Sequence, residues 1–136
     1  MKKEPKKYFL YEQELENLIA SMPSTIRHLR NPTEKMKLIA VQNSGWVIEY
    51  IKNPTEKMKL KAVETDPGII RHIKNPSEKI QLAAVKNNGS FLSHIKNPTE
   101  KVQLEAVKDS YRAIKYIKNP TTEMKDIVIS SIKLDF

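Results

Sequence analysis

The segment NPSEKIQLAAVKNNGSFLSHIK, residues 75–96, contains the pattern that decides the fold. Its opening Asn-Pro recurs every 22 residues and is always followed by Thr or Ser; the copies begin at Asn31, Asn53, Asn75, Asn97 and Asn119. A short fixed period is the signature of a tandem-repeat architecture. We therefore number each repeat from its Asn, as position 1, to position 22.

Each repeat reads as two helices joined by a turn. Positions 1 to 4 are Asn-Pro-Thr/Ser-Glu in the first four repeats, which predicts a helix start with Asn as N-cap, Pro at the first helical position and Glu at N3. The first helix is expected from position 2 to about position 12, where Asn, Asp, Ser and Gly predict a turn. A second, shorter helix is expected at positions 15 to 21, until the next Asn-Pro ends it.

Apolar residues indicate which faces of the two helices are buried. In the first helix they occupy positions 6, 8, 10 and 11, an arc wider than one amphipathic stripe, which predicts neighbours on both flanks. We expect position 8 to face the following repeat, positions 6 and 10 the preceding one, and position 9 water. Both ends of the repeat array favour this interpretation, because a terminal repeat should become polar only on the flank that has no neighbour. The last repeat has Asp126 at position 8, whereas an upstream repeat aligns Leu15 and Leu18 with positions 8 and 11. In the second helix positions 17, 18 and 21 form the core face.

The predicted fold class is all-α, a right-handed α-solenoid of tandem 22-residue helix-turn-helix repeats with polar-faced terminal caps. We expect a single domain over residues 1–136. Residues 1–30 form an N-terminal tail and capping repeat, 31–118 four full repeats, and 119–136 a truncated capping repeat. A chain of 136 residues with 39% hydrophobic residues is large enough to fold without disulfides or a structural metal.

The block AAVKNNGSFLSHIKNP, residues 83–98, resembles uncharacterised 22-residue α-helical repeats of bacterial, phage and large-virus proteins. Those repeats are similar to HEAT-like and leucine-rich-variant-like solenoids. The resemblance extends over residues 15–136 and implies the solenoid architecture, but it implies no catalytic residue. The fourth repeat departs from it, because Asp109, Ser110 and Tyr111 stand where a Gly turn is usual.

Composition and motifs argue against several classes of function. The absence of Cys excludes disulfides, thiolate zinc sites and a cysteine nucleophile. No glycine-rich phosphate loop, nucleophile elbow or paired-His motif occurs, so we expect no enzyme, no cofactor and no metal site. No apolar run approaches the ~20 residues of a membrane span, and no signal-peptide core follows the basic N-terminus. The expected location is cytoplasmic, with no membrane partner.

Two columns of the repeat carry side chains suited to binding. Position 20 always has a ring, in His28, Tyr50, His72, His94 and Tyr116. Position 22 always has a cation, in Arg30, Lys52, Lys74, Lys96 and Lys118. The rings either pack at the edge of the second helix with their polar tips in water or contact a ligand. The cations either complement the helix C-terminus or form a basic stripe, to which position 5 adds Lys35, Lys57, Lys79 and Lys101.

Four further residues are candidates for ligand contact. Lys37 and Lys59 at position 7 project into the apolar arc, where their stems either pass the short second helix or line a groove. Trp46 and Tyr111 lie beside the inter-helix turns, and aromatic residues dominate binding hot spots. Packing is the alternative role for both.

The formal net charge of +8 is spread along the repeats and absent from the last one. These observations favour a non-catalytic macromolecular interaction module that binds a protein partner, as an inhibitor or adaptor of phage or mobile-element origin. The alternative is a nucleic-acid binder that uses the Lys columns for backbone charge and the position-20 rings for stacking. The sequence identifies neither the partner nor the oligomeric state.

Overall fold

The computed structural model describes the backbone of residues 5–134 and the side-chain environment of residues 11–133. Six α-helices alternate there with five 3₁₀ helices: α1 (Pro5–Ser21), η1 (Pro23–His28), α2 (Glu34–Asn43), η2 (Gly45–Tyr50), α3 (Glu56–Thr65), η3 (Pro67–His72), α4 (Glu78–Asn87), η4 (Gly89–His94), α5 (Glu100–Asp109), η5 (Tyr111–Tyr116) and α6 (Thr122–Leu134). Residues 5–134 contain no strand. This confirms the all-α prediction.

The helices form two compact units, the first ending at Asp66 and the second beginning at Pro67. In the first unit α1 packs on α2 and α2 on α3; in the second, α4 packs on α5 and α5 on α6. The 3₁₀ helices join successive repeats, since η2 contacts both α2 and α3, and η4 contacts both α4 and α5. Inside each unit, every repeat therefore packs against the next one along the chain. The single domain over residues 1–136 stays a prediction.

The first helix of each repeat begins at position 4, so the predicted Asn N-cap was wrong. Thr or Ser at position 3 is the N-cap, and its hydroxyl accepts a hydrogen bond from the backbone N–H of position 6; in the second repeat the bond from Met58 to Thr55 is 3.2 Å long. The preceding Asn has another role. Asn53, Asn75 and Asn97 have φ of 48°, 48° and 52°. Asn tolerates this left-handed region better than most residues, so it turns the chain ahead of the cap.

The second helix of each repeat is a 3₁₀ helix over positions 15 to 20, where a helix over about positions 15 to 21 was expected. Its last hydrogen bond has the i to i+3 pattern, as between the N–H of Ile95 and the carbonyl of Leu92 at 3.1 Å. Six residues are fewer than two turns of an α-helix, and 3₁₀ helices are used in such short segments.

The predicted core positions are buried, with one correction. Position 11 of the four full repeats, occupied by Val41, Val63, Val85 and Val107, is 0% exposed. Positions 6, 10, 17, 18 and 21 are also mostly buried. Positions 8 and 9 are both half-buried in these repeats, as Leu82 and Ala83 illustrate, so position 8 is less buried than predicted and position 9 does not simply face water. A helix with neighbours on both flanks leaves only a narrow strip of its surface open to solvent. The neighbouring repeats partly cover the side chains at the borders of that strip.

The upstream repeat lies one residue out of the predicted alignment. Ile19 is fully buried, whereas Leu18 is 44% exposed, so Ile19 and not Leu18 occupies position 11. Position 8 is then Glu16, which is 8% exposed. Its carboxylate forms an ion pair with Lys35 of the following repeat at 2.8 Å. Position 8 therefore faces the following repeat here, as predicted, but through a charge and not through Leu15.

Two glycines hold neighbouring repeats close together. The N–H groups of Gly45 and Gly89 donate to the carboxylates of Asp66 and Asp109 in the following repeat, each at 2.6 Å. A Cβ atom on Gly89 would lie 2.2 Å from the carbonyl oxygen of Ala106, so only glycine fits there. Asp109, which departs from the usual Gly turn, is thus the acceptor for the glycine of the repeat before it.

Candidate binding grooves

The chain changes direction between positions 20 and 1, and this turn brings the two candidate columns together. Each 3₁₀ helix ends at the ring of position 20, and the next residue is extended, as in Ile95 with φ −105° and ψ 121°. The cation of position 22 follows, and Asn97 in the left-handed region then leads into the next helix. Ring, cation and Asn-Pro are consequently neighbours on one loop.

In the second unit these loops enclose a concavity of about 640 Å³, which we call the second-unit groove. Among the polar side chains that line it are Arg71, His72, Lys74, Gln81, His94 and Lys96. His72 and His94 are the position-20 rings of successive repeats, and Lys74 and Lys96 are the matching position-22 cations. The groove therefore combines two repeats.

The first unit contains a smaller groove of about 290 Å³ at the equivalent place, which we call the first-unit groove. The polar side chains that line it are Arg27, Arg30, Asn31, Lys37, Tyr50 and Lys52. Tyr50 here occupies the position-20 place that His94 occupies in the second unit. Two separate parts of the chain thus build the same kind of site from the same columns.

Both grooves are basic, and no carboxylate lines either of them. Within residues 11–133 no Asp or Glu forms an ion pair with Lys52, Lys74 or Lys96. All three lysines are exposed to solvent. Because like charges raise the local potential in a concave surface, each groove attracts anions.

The lysines of position 5 behave differently. Lys35 pairs with Glu16, and Lys101 lies 4.0 Å from Glu78 of the preceding repeat. The hydroxyl of Thr99 also donates to Glu78 at 2.8 Å. These contacts connect successive repeats, so at both places position 5 contributes to structure and does not extend the basic columns.

The rings differ between the two grooves. Tyr50 is 50% exposed, and the guanidinium of Arg27 lies 5.1 Å from its ring centroid, a cation–π contact. His94 is exposed and lies beside the ring of Phe91, with the two centroids 6.4 Å apart. A phenol thus faces one groove and imidazoles the other.

Position 7 has a structural role in the second unit. The amide Nε2 atoms of Gln81 and Gln103 donate to the carbonyls of Pro76 and Pro98, at 2.9 and 3.1 Å, and so fasten the Asn-Pro loop to its helix. In the first unit Lys37 lines the groove but also pairs with Glu34 at 3.0 Å. Of the two position-7 candidates, Lys37 lines a groove and Lys59 does not.

The remaining predicted candidates line neither groove: His28, Lys59, Trp46, Tyr111, Tyr116 and Lys118. Tyr111 is half-buried, with Arg112 5.7 Å from its ring centroid, and Trp46 is 38% exposed. Sequence reasoning missed Arg27 and Arg71, which do line the grooves. The signal was present, because each precedes a position-20 ring, but position 19 also contains Glu49 and Ser93 and does not read as a basic column.

Compared with known proteins, the chain matches no family model, no curated protein and no solved structure. The described residues contain no group of three His, Asp or Glu side chains placed to hold a metal ion. None of the described helices combines the length and the apolar character needed to cross a membrane.

Proposed function

We propose that this chain is a non-catalytic interaction module that holds an acidic segment of a protein partner in its two basic grooves. The observation that carries the proposal is the convergence of the position-20 rings and the position-22 cations in both units, with no carboxylate in either groove. An acidic partner supplies counter-charge for Lys52, Lys74 and Lys96, with which no Asp or Glu of residues 11–133 forms an ion pair.

We further propose that the repeats form a right-handed α-solenoid. The packing of each repeat on its neighbour within each unit supports this architecture. Solenoids present repeated side chains along one face, which suits the recognition of an extended partner. The polar residues of the grooves recur with the fold and do not converge on one reacting point, which favours binding over catalysis.

A second candidate function is nucleic-acid binding, favoured by the presence of exposed rings and cations in the same grooves. The ion pairs of Lys35 and Lys101 argue against it, because they interrupt the charge that would follow a phosphate backbone. A protein partner with local acidic groups needs no continuous stripe, and it is the partner we favour.

The test is fluorescence anisotropy with a labelled peptide of alternating glutamate and glycine, beside single-stranded DNA, duplex DNA and RNA probes, from about 50 to 200 mM salt. We expect the acidic peptide to bind. The Lys52→Glu/Lys74→Glu/Lys96→Glu variant is expected to weaken that binding at least about tenfold, as for the loss of several charge contacts.

The matched control is Lys57→Glu/Lys79→Glu/Lys86→Glu, whose lysines line neither groove. Either variant lowers the formal net charge from +8 to +2, because each reversal removes two charges. Equal weakening by the two variants would mean that overall charge, and not the grooves, attracts the peptide. Tight binding of a nucleic-acid probe without binding of the peptide would establish the second candidate instead.

A further inference from the structure

The wall of the second-unit groove contains a hydrogen-bond acceptor that the chain leaves unused. Gln81 lines the groove and is 9% exposed. Its amide Nε2 donates to the carbonyl of Pro76 at 2.9 Å, whereas its Oε1 accepts no hydrogen bond. Among the side chains of residues 11–133, no other buried oxygen or nitrogen lacks a partner. Buried polar atoms are nearly always hydrogen-bonded, so this exception in a groove indicates a place for a ligand.

The contact with Pro76 determines which kind of partner Gln81 lacks. Only an N–H can face the carbonyl of Pro76, because exchanging the two amide atoms would place one oxygen against another. The unpartnered atom is therefore the oxygen, and the ligand must supply a hydrogen-bond donor.

The surroundings of Gln81 restrict this donor to a neutral group. Lys74 and Lys96 line the same groove, are exposed, and form no ion pair with an Asp or Glu of residues 11–133. Their charge repels a cationic donor and attracts carboxylates. Ionised Asp and Glu side chains accept hydrogen bonds but do not donate them. The donor that an acidic segment does supply is its backbone N–H, which every residue except Pro has.

From these contacts we propose that the second-unit groove binds the main chain of the acidic segment. A backbone N–H of the segment donates to Oε1 of Gln81, while carboxylates on either side of it contact Lys74 and Lys96; the inference rests on the proposed function. Oε1 is covered in the free chain, so the segment reaches it by a small movement of the groove wall. Pro is excluded at the contacting position, because it has no N–H.

The equivalent residues of other repeats lack this acceptor in a groove. In the first unit position 7 is Lys37, whose ammonium donates to Glu34 at 3.0 Å and cannot accept a hydrogen bond. In the fourth repeat Gln103 donates to Pro98 at 3.1 Å, as Gln81 does to Pro76, but Gln103 is half-buried and lines neither groove. The two glutamines therefore share the bond that fastens the loop, and they differ in the unpartnered oxygen.

The experiment compares two labelled peptides by fluorescence anisotropy with the full chain. One is the peptide of alternating glutamate and glycine, and the other is the same peptide methylated at every backbone nitrogen, which keeps the carboxylates and removes every N–H. The unmethylated peptide is expected to bind at least about fivefold more tightly, as for one hydrogen bond to an otherwise unsatisfied buried oxygen. In Gln81→Met the ratio of the two affinities should fall at least about fivefold, because the acceptor is gone.

Gln103→Met is the matched control, because it removes the same kind of loop bond outside the grooves. Its affinity ratio should stay within about twofold of that of the unsubstituted chain, since the acceptor at Gln81 is intact. Circular dichroism of both variants verifies that the fold is retained. An unchanged ratio in Gln81→Met would overturn the inference, as would an equal fall in the two variants.

The proposed function can be separated from this inference. If the unmethylated peptide binds and Lys74→Glu/Lys96→Glu weakens that binding, while Gln81→Met leaves the affinity ratio unchanged, the acidic-partner proposal stands without main-chain recognition. If neither peptide binds, both proposals fail, and binding of an oligonucleotide would then establish the nucleic-acid alternative.

Discussion

Single residues determine how closely the repeats pack, and Gly89 is the clearest example. A methyl group there would lie 2.2 Å from the carbonyl oxygen of Ala106, so Gly89→Ala must push α5 away from η4. We expect a loss of about 2 kcal/mol or more in the free energy of unfolding, measured by urea denaturation, in the range of other overpacked sites. Ser93→Ala, at an exposed position of the same 3₁₀ helix, is the control and should change stability little.

Another prediction at the residue scale concerns the helix cap. Thr55 accepts from the N–H of Met58 at 3.2 Å, so Thr55→Ala should cost about 1 kcal/mol, and Thr55→Ser should restore most of it. Were Asn53 the cap, Thr55 would lie inside the helix and alanine would be neutral or stabilising. Thermal or urea unfolding of the two variants distinguishes these assignments.

The cap also shows why residue-level roles were only partly predictable. Asn, Thr and Ser are all good N-caps, so sequence preferences alone do not decide which of positions 1 and 3 is used. The choice depends on backbone geometry, since Asn53 is left-handed at φ 48°. The bond from Gly89 to Asp109 was missed for a different reason: it joins residues 20 apart in sequence, beyond the reach of any local rule.

At the scale of elements, helix α4 offers a direct comparison between two flanks. Ile80 is 0% exposed, while Leu82 on the other flank is half-buried. Ile80→Ala should therefore cost about 2–5 kcal/mol, and Leu82→Ala less than half as much, because its cavity stays partly open to water. Urea unfolding of both variants measures the difference. Equal costs would mean that Leu82 contributes to the core as fully as Ile80.

The elements themselves were largely predictable, because the 22-residue period repeats the same apolar positions many times. Position 11 was assigned to the core from its valines alone, and it is fully buried in all four full repeats. The helix type was not predictable in this way, since a segment of six residues can satisfy the same pattern as an α-turn or a 3₁₀ helix. The shortness of the segment favours the 3₁₀ form.

At the scale of the whole molecule, the sequence indicated most of the polar side chains that line the grooves but not their arrangement. The columns at positions 20 and 22 were visible as repeats, whereas the left-handed backbone of Asn75, in the loop that lines the second-unit groove, was not. Trp46 and Tyr111 were selected for being unusual, yet neither lines a groove. Residue types that recur at one position of the repeat therefore indicated the candidate site better than residues that occur at their position only once.

The final prediction separates a binding role of the position-22 lysines from a stabilising one. The 3₁₀ helices end at position 20, as η4 does at His94, so Lys96 lies two residues past the helix end, where the dipole has little effect. Lys52, Lys74 and Lys96 also lack ion pairs with residues 11–133. Reversing all three to Glu should therefore change the free energy of unfolding by less than about 1 kcal/mol, partly because lower net charge reduces self-repulsion. Urea denaturation measures the free energy of unfolding of this variant. A loss of several kcal/mol would identify the lysines as structural. Weaker peptide binding by the variant would then reflect unfolding.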